Sequence, residues 1–253
     1  MKDVQSQADH RCIAIHKVGV KDIVYPITVL DRANAVQATV ASFNMYVNLP
    51  HHFKGTHMSR FVEILHRFRG RVELPAVRLM LDETRRRLQA ESAHVEIAFP
   101  YFLRRPDGRG SEAIREYQCR MHGSAGERDD LSLTVEVPIA APTPSGGGRG
   151  LPRSLGRWGQ ALVSLRFRHF IWLEEVIDLV EAVTSHGLTW PAASGDREEG
   201  LTVEGLARAL ASRLALHPDI GSGTVEVENL AAGYSTFAVV HWPQAEYGQR
   251  DHS

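Results

Sequence analysis

Residues 41–49 read ASFNMYVNL, and apolar and polar side chains alternate along the whole stretch. Successive side chains of a strand point to opposite faces of its sheet, so this period of two predicts a strand with one buried face. The apolar run IVYPITVL at 23–30 precedes it and is predicted to be its hairpin partner. The apolar positions of the first stretch are Ala41, Phe43, Met45, Val47 and Leu49.

Two amphipathic helices are predicted after this hairpin. THMSRFVEILHRF (56–68) and LPAVRLMLDETRRRLQ (74–89) carry apolar residues at helical spacing, and Thr56 is a candidate cap for the first. HVEIAF (94–99) and YQCRM (117–121) then alternate again, which predicts two further strands.

The second half of the chain repeats this order. LSLTVEVPI (131–139) and LVSLRFR (162–168) alternate as strands. Two helical patterns follow over 171–183 and 201–218, the second with Thr202 as a candidate cap, and two short strands close the chain.

The order strand–strand–helix–helix–strand–strand therefore occurs twice, and such a repeat indicates two similar modules. It predicts an α+β protein with antiparallel sheets backed by helices. We place the first module at 22–124 and the second at 125–243, with an N-terminal segment at 1–21 and a C-terminal tail at 244–253.

The composition limits the classes of partner and compartment. The 253 residues include 29 Lys and Arg against 30 Asp and Glu, a net charge of -1 that predicts neither a nucleic-acid nor a membrane partner. The two cysteines, Cys12 and Cys119, are too few for a disulfide framework, and Cys119 lies on the apolar face of a strand pattern, as a buried thiol would. With no apolar signal segment at the N-terminus, we expect a globular cytoplasmic protein.

The stretch PTPSGGGRGLPRSLGRWGQ at 142–160 lies between two predicted paired strands. It lacks the lysine of a phosphate-binding loop, and a strand rather than a helix follows it, so a nucleotide-cradling loop is disfavoured. A domain linker is disfavoured as well, because paired strands flank the stretch. Hairpin loops of this length are usually functional or disordered.

A cluster of polar residues opens the first helix in HHFKGTHMSRFVEIL (51–65). Backbone N–H groups at a helix start favour anions, so His57 and Arg60 are candidate substrate-binding residues; an ordinary solvated helix start explains the cluster equally well. His51 and His52 could ligate a metal, although such pairs are more often solvated turn residues.

The segment KGTHMSRF, with VEVP (135–138), FIWLEEVIDLVE (170–181), TVEGLAR (202–208) and VEVEN (225–229), resembles the type IB GTP cyclohydrolases over nearly the whole chain. The resemblance implies a tunnelling fold (T-fold), here of two ββααββ modules, and a homotetramer with sites between subunits. It implies that GTP is opened at its imidazole ring and converted to 7,8-dihydroneopterin triphosphate and formate, a step of folate and pterin biosynthesis. It also implies a divalent metal (zinc, manganese or iron).

The resemblance assigns roles to two carboxylates. Glu204 in TVEGLAR matches the acid/base glutamate of the family, so it is the predicted catalytic residue. The family's metal-binding glutamate falls in SGDREEG, where Glu199 is the predicted metal ligand and Glu198 is the alternative.

The sequence departs from the family at other site positions. Thr143 or its neighbour stands where the family has a metal-binding cysteine, and Trp158 stands where it has a metal-binding histidine. The family's pterin-binding glutamate and histidines are replaced by Ala231, Tyr234 and Thr236.

Three hypotheses accommodate these departures. The chain is a working GTP cyclohydrolase with a rearranged site, or a catalytically impaired paralogue that binds a purine or pterin or serves as a regulatory subunit. Alternatively, 141–160 is a sequence error. An error there would not explain the separate replacements at Ala231, Tyr234 and Thr236, which favours the paralogue over the error.

Overall fold

The computed structural model describes residues 15–49, 57–68, 70–106, 112–140, 157–186, 202–230 and 233–243. The contacts divide the chain into two compact units, Met1–Leu133 and Thr134–Ser253. Each unit combines long strands with two helices. None of the described helices has both the length and the apolar composition that a membrane span requires.

Five strands belong to the first unit, in the hydrogen-bonded order β3-β1-β2-β4-β5. Antiparallel pairs join β1 to β2, β2 to β4 and β4 to β5, whereas β3 runs parallel to β1. The strands are β1 (Ile15–Asp31), β2 (Ala35–Leu49), β3 (Arg71–Val72), β4 (Ser92–Pro106) and β5 (Glu112–Ala125).

The strand β1 begins at Ile15, well before the start at Ile23 that the sequence predicts. Its register against β2 shifts twice between these two residues, so apolar and polar positions do not alternate there. At Gly19, an added Cβ would lie 2.0 Å from the Met45 carbonyl oxygen, so the two backbones approach more closely than a side chain allows. A search for a period of two therefore misses the first part of β1.

Helices α1 (Ser59–Arg67) and α2 (Leu74–Leu88) complete the first unit. An added Cβ on Gly123 of β5 would lie 2.9 Å from Leu81 Cδ1 and 3.4 Å from Val77 Cγ1 of α2. The helix α2 therefore packs directly on the face of β5 that carries Gly123. Side chains alternate along a strand, so His122 and Ser124 lie on the opposite face.

The alternation read from the sequence of β2 is confirmed by burial. Residues between the apolar positions are only half-buried. Cys119 is buried as predicted, and burial raises the pKa of its thiol, so it stays protonated and unreactive. The apolar positions are at most 2% exposed: Ala41, Phe43, Met45, Val47 and Leu49.

The second unit has the strand order β6-β7-β8-β9. Antiparallel pairs join β7 to β8 and β8 to β9. Its elements are β6 (Asp130–Ala140), which spans the boundary between the units, β7 (Arg157–Phe167), α3 (Leu173–His186), α4 (Val203–Ala215), β8 (Ile220–Leu230) and β9 (Ser235–Trp242).

The predicted tunnelling fold of two ββααββ modules with antiparallel sheets is wrong. The described strands form one nine-stranded sheet, and this sheet is mixed because β3 is parallel to β1. β3 lies between α1 and α2 in the chain, so the first unit does not have the ββααββ order.

The sequence could not reveal β3, because two residues are too few for a periodic signal. Its position depends on Gly70, which has a φ of 68° and whose added Cβ would lie 2.3 Å from the Pro26 carbonyl oxygen. Only glycine adopts this conformation readily at so close an approach. The Gly70 carbonyl then accepts a hydrogen bond of 2.9 Å from the Thr28 N–H of β1.

Candidate active site

Glu204 lies in the first turn of α4, where its side chain is exposed. Thr202 caps this helix, because its Oγ1 accepts a hydrogen bond of 3.0 Å from the Gly205 N–H, and the predicted cap is confirmed. The unpaired N–H groups and the dipole of a helix start stabilise a carboxylate. Glu204 is therefore presented to solvent at a capped helix end.

The rest of α4 is anchored by apolar packing against β8 and β9. The residues that the sequence places on one helical face are all buried, which confirms that prediction. These residues are Val203, Leu206, Ala207, Leu210 and Leu214. Since the helix is fixed along this face, its N-terminal turn with Glu204 is fixed as well.

Trp158, which the resemblance places where the family has a metal-binding histidine, lies at the start of β7. The Asn229 Nδ2 of β8 donates a hydrogen bond of 2.9 Å to the Trp158 carbonyl oxygen. At the next residue, Gly159, an added Cβ would lie 1.9 Å from the Glu228 carbonyl oxygen. The backbone at Trp158 is thus held tightly to the end of β8.

Glu228 and Asn229 are residues that the sequence reasoning did not single out. Besides the contact of Asn229, Gln160 Nε2 donates a hydrogen bond of 2.9 Å to Glu228 Oε2. The signal was present in the sequence, since both residues belong to the VEVEN segment that carries the family resemblance. They connect β7 to β8 beside the altered position Trp158.

Tyr234 and Thr236, which the resemblance places at the family's pterin-binding positions, lie at the start of β9. Tyr234 is 69% exposed, and Thr236 is the register partner of Asn229 on β8. Phe237 is 66% exposed and is the partner of Glu228. Glu228 thus has an exposed aromatic side chain as its cross-strand partner. Ala231 lies outside the described residues.

His57 and Arg60 lie at the start of α1, in the first unit. The His57 carbonyl accepts a hydrogen bond of 3.1 Å from the Arg60 N–H, and no acidic residue occupies the first turn. Arg60 Nη1 donates a hydrogen bond of 3.2 Å to the Arg87 carbonyl at the end of α2. Arg60 thus has a structural contact that orients its guanidinium.

The described residues do not fit the divalent metal site that the resemblance implies. They contain no group of three or more His, Cys, Asp or Glu side chains able to hold a metal ion. Trp158 cannot substitute for histidine, because an indole has no lone pair to give. Glu199 and Thr143 lie outside the described residues. Of the predicted site residues, the first unit holds His57 and Arg60, and the second unit holds Glu204.

The fold is similar to that of urate oxidases. The crystal structure of Bacillus sp. TB-90 urate oxidase matches with a TM-score of 0.60 at 8% identity, covering 90% of this chain and 99% of that one. Urate oxidase from Bacillus subtilis 168 matches with a TM-score of 0.52 at 11% identity, covering 89% of this chain and 97% of that one. At such identities, the likeness concerns the fold alone.

Sequence relatives identify the family. A family model described as GCHY-1, type I GTP cyclohydrolase folE2, matches residues 1–190. GTP cyclohydrolase FolE2 of Pelobacter propionicus is 40% identical over 251 residues, covering 95% of this chain and 98% of the relative. GTP cyclohydrolase FolE2 of Magnetococcus marinus is 40% identical over 263 residues, covering 99% and 97%. The chain belongs to the type I GTP cyclohydrolase FolE2 family.

The GTP cyclohydrolase resemblance read from KGTHMSRF and the VEVEN segment is confirmed at the level of this family. The matching family is FolE2, and the type IB label given from the sequence is not part of the match.

Proposed function

We propose that this chain is a GTP cyclohydrolase of folate biosynthesis, which opens the imidazole ring of GTP and yields 7,8-dihydroneopterin triphosphate and formate. Glu204 carries the proposal, because its exposed carboxylate lies on the capped first turn of α4. Family membership supports the substrate, since the relatives are named GTP cyclohydrolase FolE2.

In this proposal, Glu204 is the acid/base group for the proton transfers of ring opening and closure. A general acid/base must reach the substrate, and Glu204 is exposed. It must also keep its position through a catalytic cycle, and Thr202 together with the buried face of α4 provides a rigid support.

His57 and Arg60 are proposed to bind the anionic part of the substrate. The first turn of α1 carries no acidic side chain, so its backbone N–H groups and dipole favour an anion. One nitrogen of Arg60 is used by the Arg87 carbonyl, and that contact orients the guanidinium. A guanidinium held in this way can bind a phosphate oxygen through its remaining N–H groups.

The family resemblance also implies a divalent metal, with zinc, manganese and iron as the candidates and Glu199 as a ligand. The described residues do not fit such a site, since Trp158 replaces a ligand and no cluster of ligating side chains is found among them. We therefore assign no step of the reaction to a metal.

Formate release from GTP tests the proposal. The full chain, assayed with manganese or zinc added, should release formate, and Glu204→Gln should lower kcat by about 10²- to 10⁴-fold, the usual contribution of a general acid/base. Glu127→Gln removes an exposed carboxylate in the turn after β5 and should leave the rate unchanged.

The test has two negative outcomes, and they can be told apart. Formate release that persists at the wild-type rate in Glu204→Gln would refute the role of Glu204 and leave the activity standing. A folded wild-type protein that releases no formate under any metal would refute the activity itself.

Trp158 favours a second candidate function, a catalytically impaired paralogue that binds a purine or pterin or acts as a regulatory subunit. Its backbone is held by Asn229 at a position where the family has a ligand, so a simple rearrangement cannot restore one there. This candidate predicts a metal-free protein that binds guanine compounds, by calorimetry, without releasing formate.

A homotetramer with sites between subunits is also proposed, from the family resemblance. The last strand in the hydrogen-bonded order, β9, carries exposed apolar side chains, with Phe237 at 66% and Val239 at 40%. Apolar side chains on a strand edge are typical of an interface. Light scattering on the purified chain gives the subunit number directly.

A further inference from the structure

A row of three side chains crosses the last strands of the second unit. Gln160 on β7 is the register partner of Glu228 on β8, and Glu228 is the register partner of Phe237 on β9. Register partners of antiparallel strands point to the same side of the sheet, with Cβ atoms about 4.5–5.5 Å apart. Since side chains alternate along β8, the row lies on the face opposite the buried Val227.

The carboxylate of Glu228 is oriented by one neighbour and has capacity for a second. Gln160 Nε2 donates a hydrogen bond of 2.9 Å to Glu228 Oε2. Within the part of the chain that the structure describes, no side chain donates to the other oxygen, Oε1. An ionised carboxylate accepts about four hydrogen bonds, so Glu228 can accept further ones from a ligand.

Apolar side chains surround this carboxylate on the same face. Phe237, Leu230 and Val239 are all exposed there, because Leu230 lies two residues beyond Glu228 and Val239 two residues beyond Phe237. The half-buried Trp158 lies on this face at the start of β7. An apolar surface with one oriented polar group at its centre is typical of a ligand site.

A second carboxylate, that of Glu226, lies on the same face two residues before Glu228. Its register partners are Leu162 on β7 and Val239 on β9, so apolar side chains flank it on both neighbouring strands. Glu228 differs from it in having an amide on one side and an aromatic ring on the other. Glu226 is therefore a matched control within the same strand.

We infer that Glu228 and Phe237 form a binding site for a heterocyclic base whose edge carries a ring N–H beside an amino group. Guanine and pterin share this edge, on which both groups donate hydrogen bonds in one plane. The two oxygens of a carboxylate can accept both hydrogen bonds at once, and an aromatic ring can stack on the face of the base. Adenine has an acceptor in place of the ring N–H, so the same carboxylate disfavours it.

This inference rests on the proposed GTP cyclohydrolase function, because the substrate and the product of that reaction both carry this edge. It adds the residues that recognise the base. The family's pterin-binding glutamate is replaced by Ala231, and Glu228 precedes that position by three residues. The site also adjoins β9, the proposed subunit edge, in keeping with sites between subunits.

Calorimetry on the full chain with guanosine as the probe tests the site. Glu228→Gln should weaken guanosine binding about 10- to 100-fold, because a charged acceptor is lost. Gln160 can still donate to the amide oxygen of the substituted side chain, so the contact between β7 and β8 is kept. Glu226→Gln removes the neighbouring carboxylate and should leave the Kd for guanosine unchanged.

Phe237→Leu tests the stacking ring. This variant keeps an apolar side chain on β9 but removes the aromatic face, so guanosine binding should weaken about three- to tenfold. Light scattering on the same sample checks that the subunit number is unchanged. Wild-type affinity in Phe237→Leu would refute the stacking.

The edge of the ligand gives a further readout. Inosine lacks the amino group of guanosine and should bind the wild type about tenfold more weakly, and this preference should shrink in Glu228→Gln. Equal losses in Glu226→Gln and Glu228→Gln, or equal affinities of inosine and guanosine for the wild type, would overturn the inference.

Titration with neopterin distinguishes the sources of the base. If neopterin displaces guanosine and Glu228→Gln weakens the binding of both, the site takes the base of the substrate and of the product. If guanosine binds and neopterin does not displace it, the site takes the nucleoside alone. If neither ligand binds, the inference is wrong.

Formate release separates this inference from the proposed function. Guanosine binding that depends on Glu228, in a protein that releases no formate from GTP, would support the site and refute the activity. Formate release together with guanosine binding that is unchanged in Glu228→Gln would refute the site and leave the activity standing.

Discussion

The two helix pairs of this protein are stabilised in different ways. In the first unit, α1 and α2 are linked at the surface by a charged cluster centred on Glu83. Its carboxylate accepts hydrogen bonds from Arg67 Nη1 at 2.7 Å and Arg87 Nε at 2.5 Å, and it also contacts Arg86. Arg60 adds its hydrogen bond to the Arg87 carbonyl.

The second pair, α3 and α4, packs through buried apolar side chains, as the first pair also does. A polar contact adds to this packing, because His217 Nε2, just after α4, lies 3.2 Å from Glu175 Oε1 of α3. The buried apolar side chains are Val176, Ile177, Val180, Val203, Leu206, Ala207, Leu210, Ala211 and Leu214.

This difference matters for function because the proposed catalytic residue lies on the second pair. Glu204 is carried by a helix whose position depends on packing and on the neutral cap of Thr202. Arg60 lies beside the charged cluster, since it donates to the carbonyl of Arg87, and Arg87 is itself paired with Glu83, an ion pair that responds to pH and salt. Substrate binding should therefore be more sensitive to pH and salt than the placement of the acid/base group.

The largest expected effect on stability comes from replacing a buried leucine in each helix pair. Leu65 of α1 and Leu210 of α4 are both 0% exposed, so replacement of either by alanine should lower the free energy of unfolding by about 2–5 kcal/mol. Urea unfolding measures the free energy of unfolding of both variants. If Leu65→Ala left the protein at wild-type stability, the charged cluster alone would hold α1. The two helix pairs would then differ more in how they are stabilised than we propose.

A matched pair of glycines tests packing in the two units. An added Cβ on Gly223 would lie 2.5 Å from the Trp242 ring, which is rigid, whereas on Gly123 it would lie 2.9 Å from Leu81 Cδ1, which can rotate away. Gly223→Ala should cost about 1–3 kcal/mol of stability, and Gly123→Ala should cost less. Melting temperatures measured in one buffer compare the two variants. A larger loss of stability in Gly123→Ala than in Gly223→Ala would refute the difference in rigidity between Trp242 and Leu81.

The sequence predicted those parts of the fold that have a long periodic signal. The alternation of β2 and the buried face of α4 were confirmed, because burial on one side imposes a period on many residues. The two-residue strand β3 and the irregular first part of β1 gave no such signal. β3 depends on the conformation of Gly70 and β1 on the close approach at Gly19, and both are tertiary features.

The candidate site could be predicted only where the chain matches its family. Glu204, His57 and Arg60 lie in matching segments, and the structure describes all three. Contacts made across strands, such as that of Asn229 with the Trp158 carbonyl, join residues 71 positions apart, and no local pattern reveals them. Glu199 lies in a segment outside the described residues and stays a prediction.

The smallest expected effect tests the charged cluster itself. Hydrogen bonds from Arg86 and then Arg87 hold the pKa of Glu83 below its ordinary value of 4.5, although burial opposes them. A carboxyl whose pKa is lower in the folded state stabilises the protein above the pKa of the unfolded state, and this contribution is lost as the pH falls through the folded value. Glu83→Gln should therefore cost about 0.5–1 kcal/mol at pH 7, measured by urea unfolding.

The pH dependence of stability separates the effect of the Glu83 charge from the effect of its side-chain packing. Between pH 7 and 5 the difference between the wild type and Glu83→Gln should stay constant, and below about pH 4.5 it should shrink as Glu83 protonates. Glu127→Gln, which removes a carboxylate outside the cluster, should show no such change. If the difference persisted unchanged in strong acid or in high salt, Glu83 would act through packing of its side chain. The two helix pairs would then not differ in their dependence on charge.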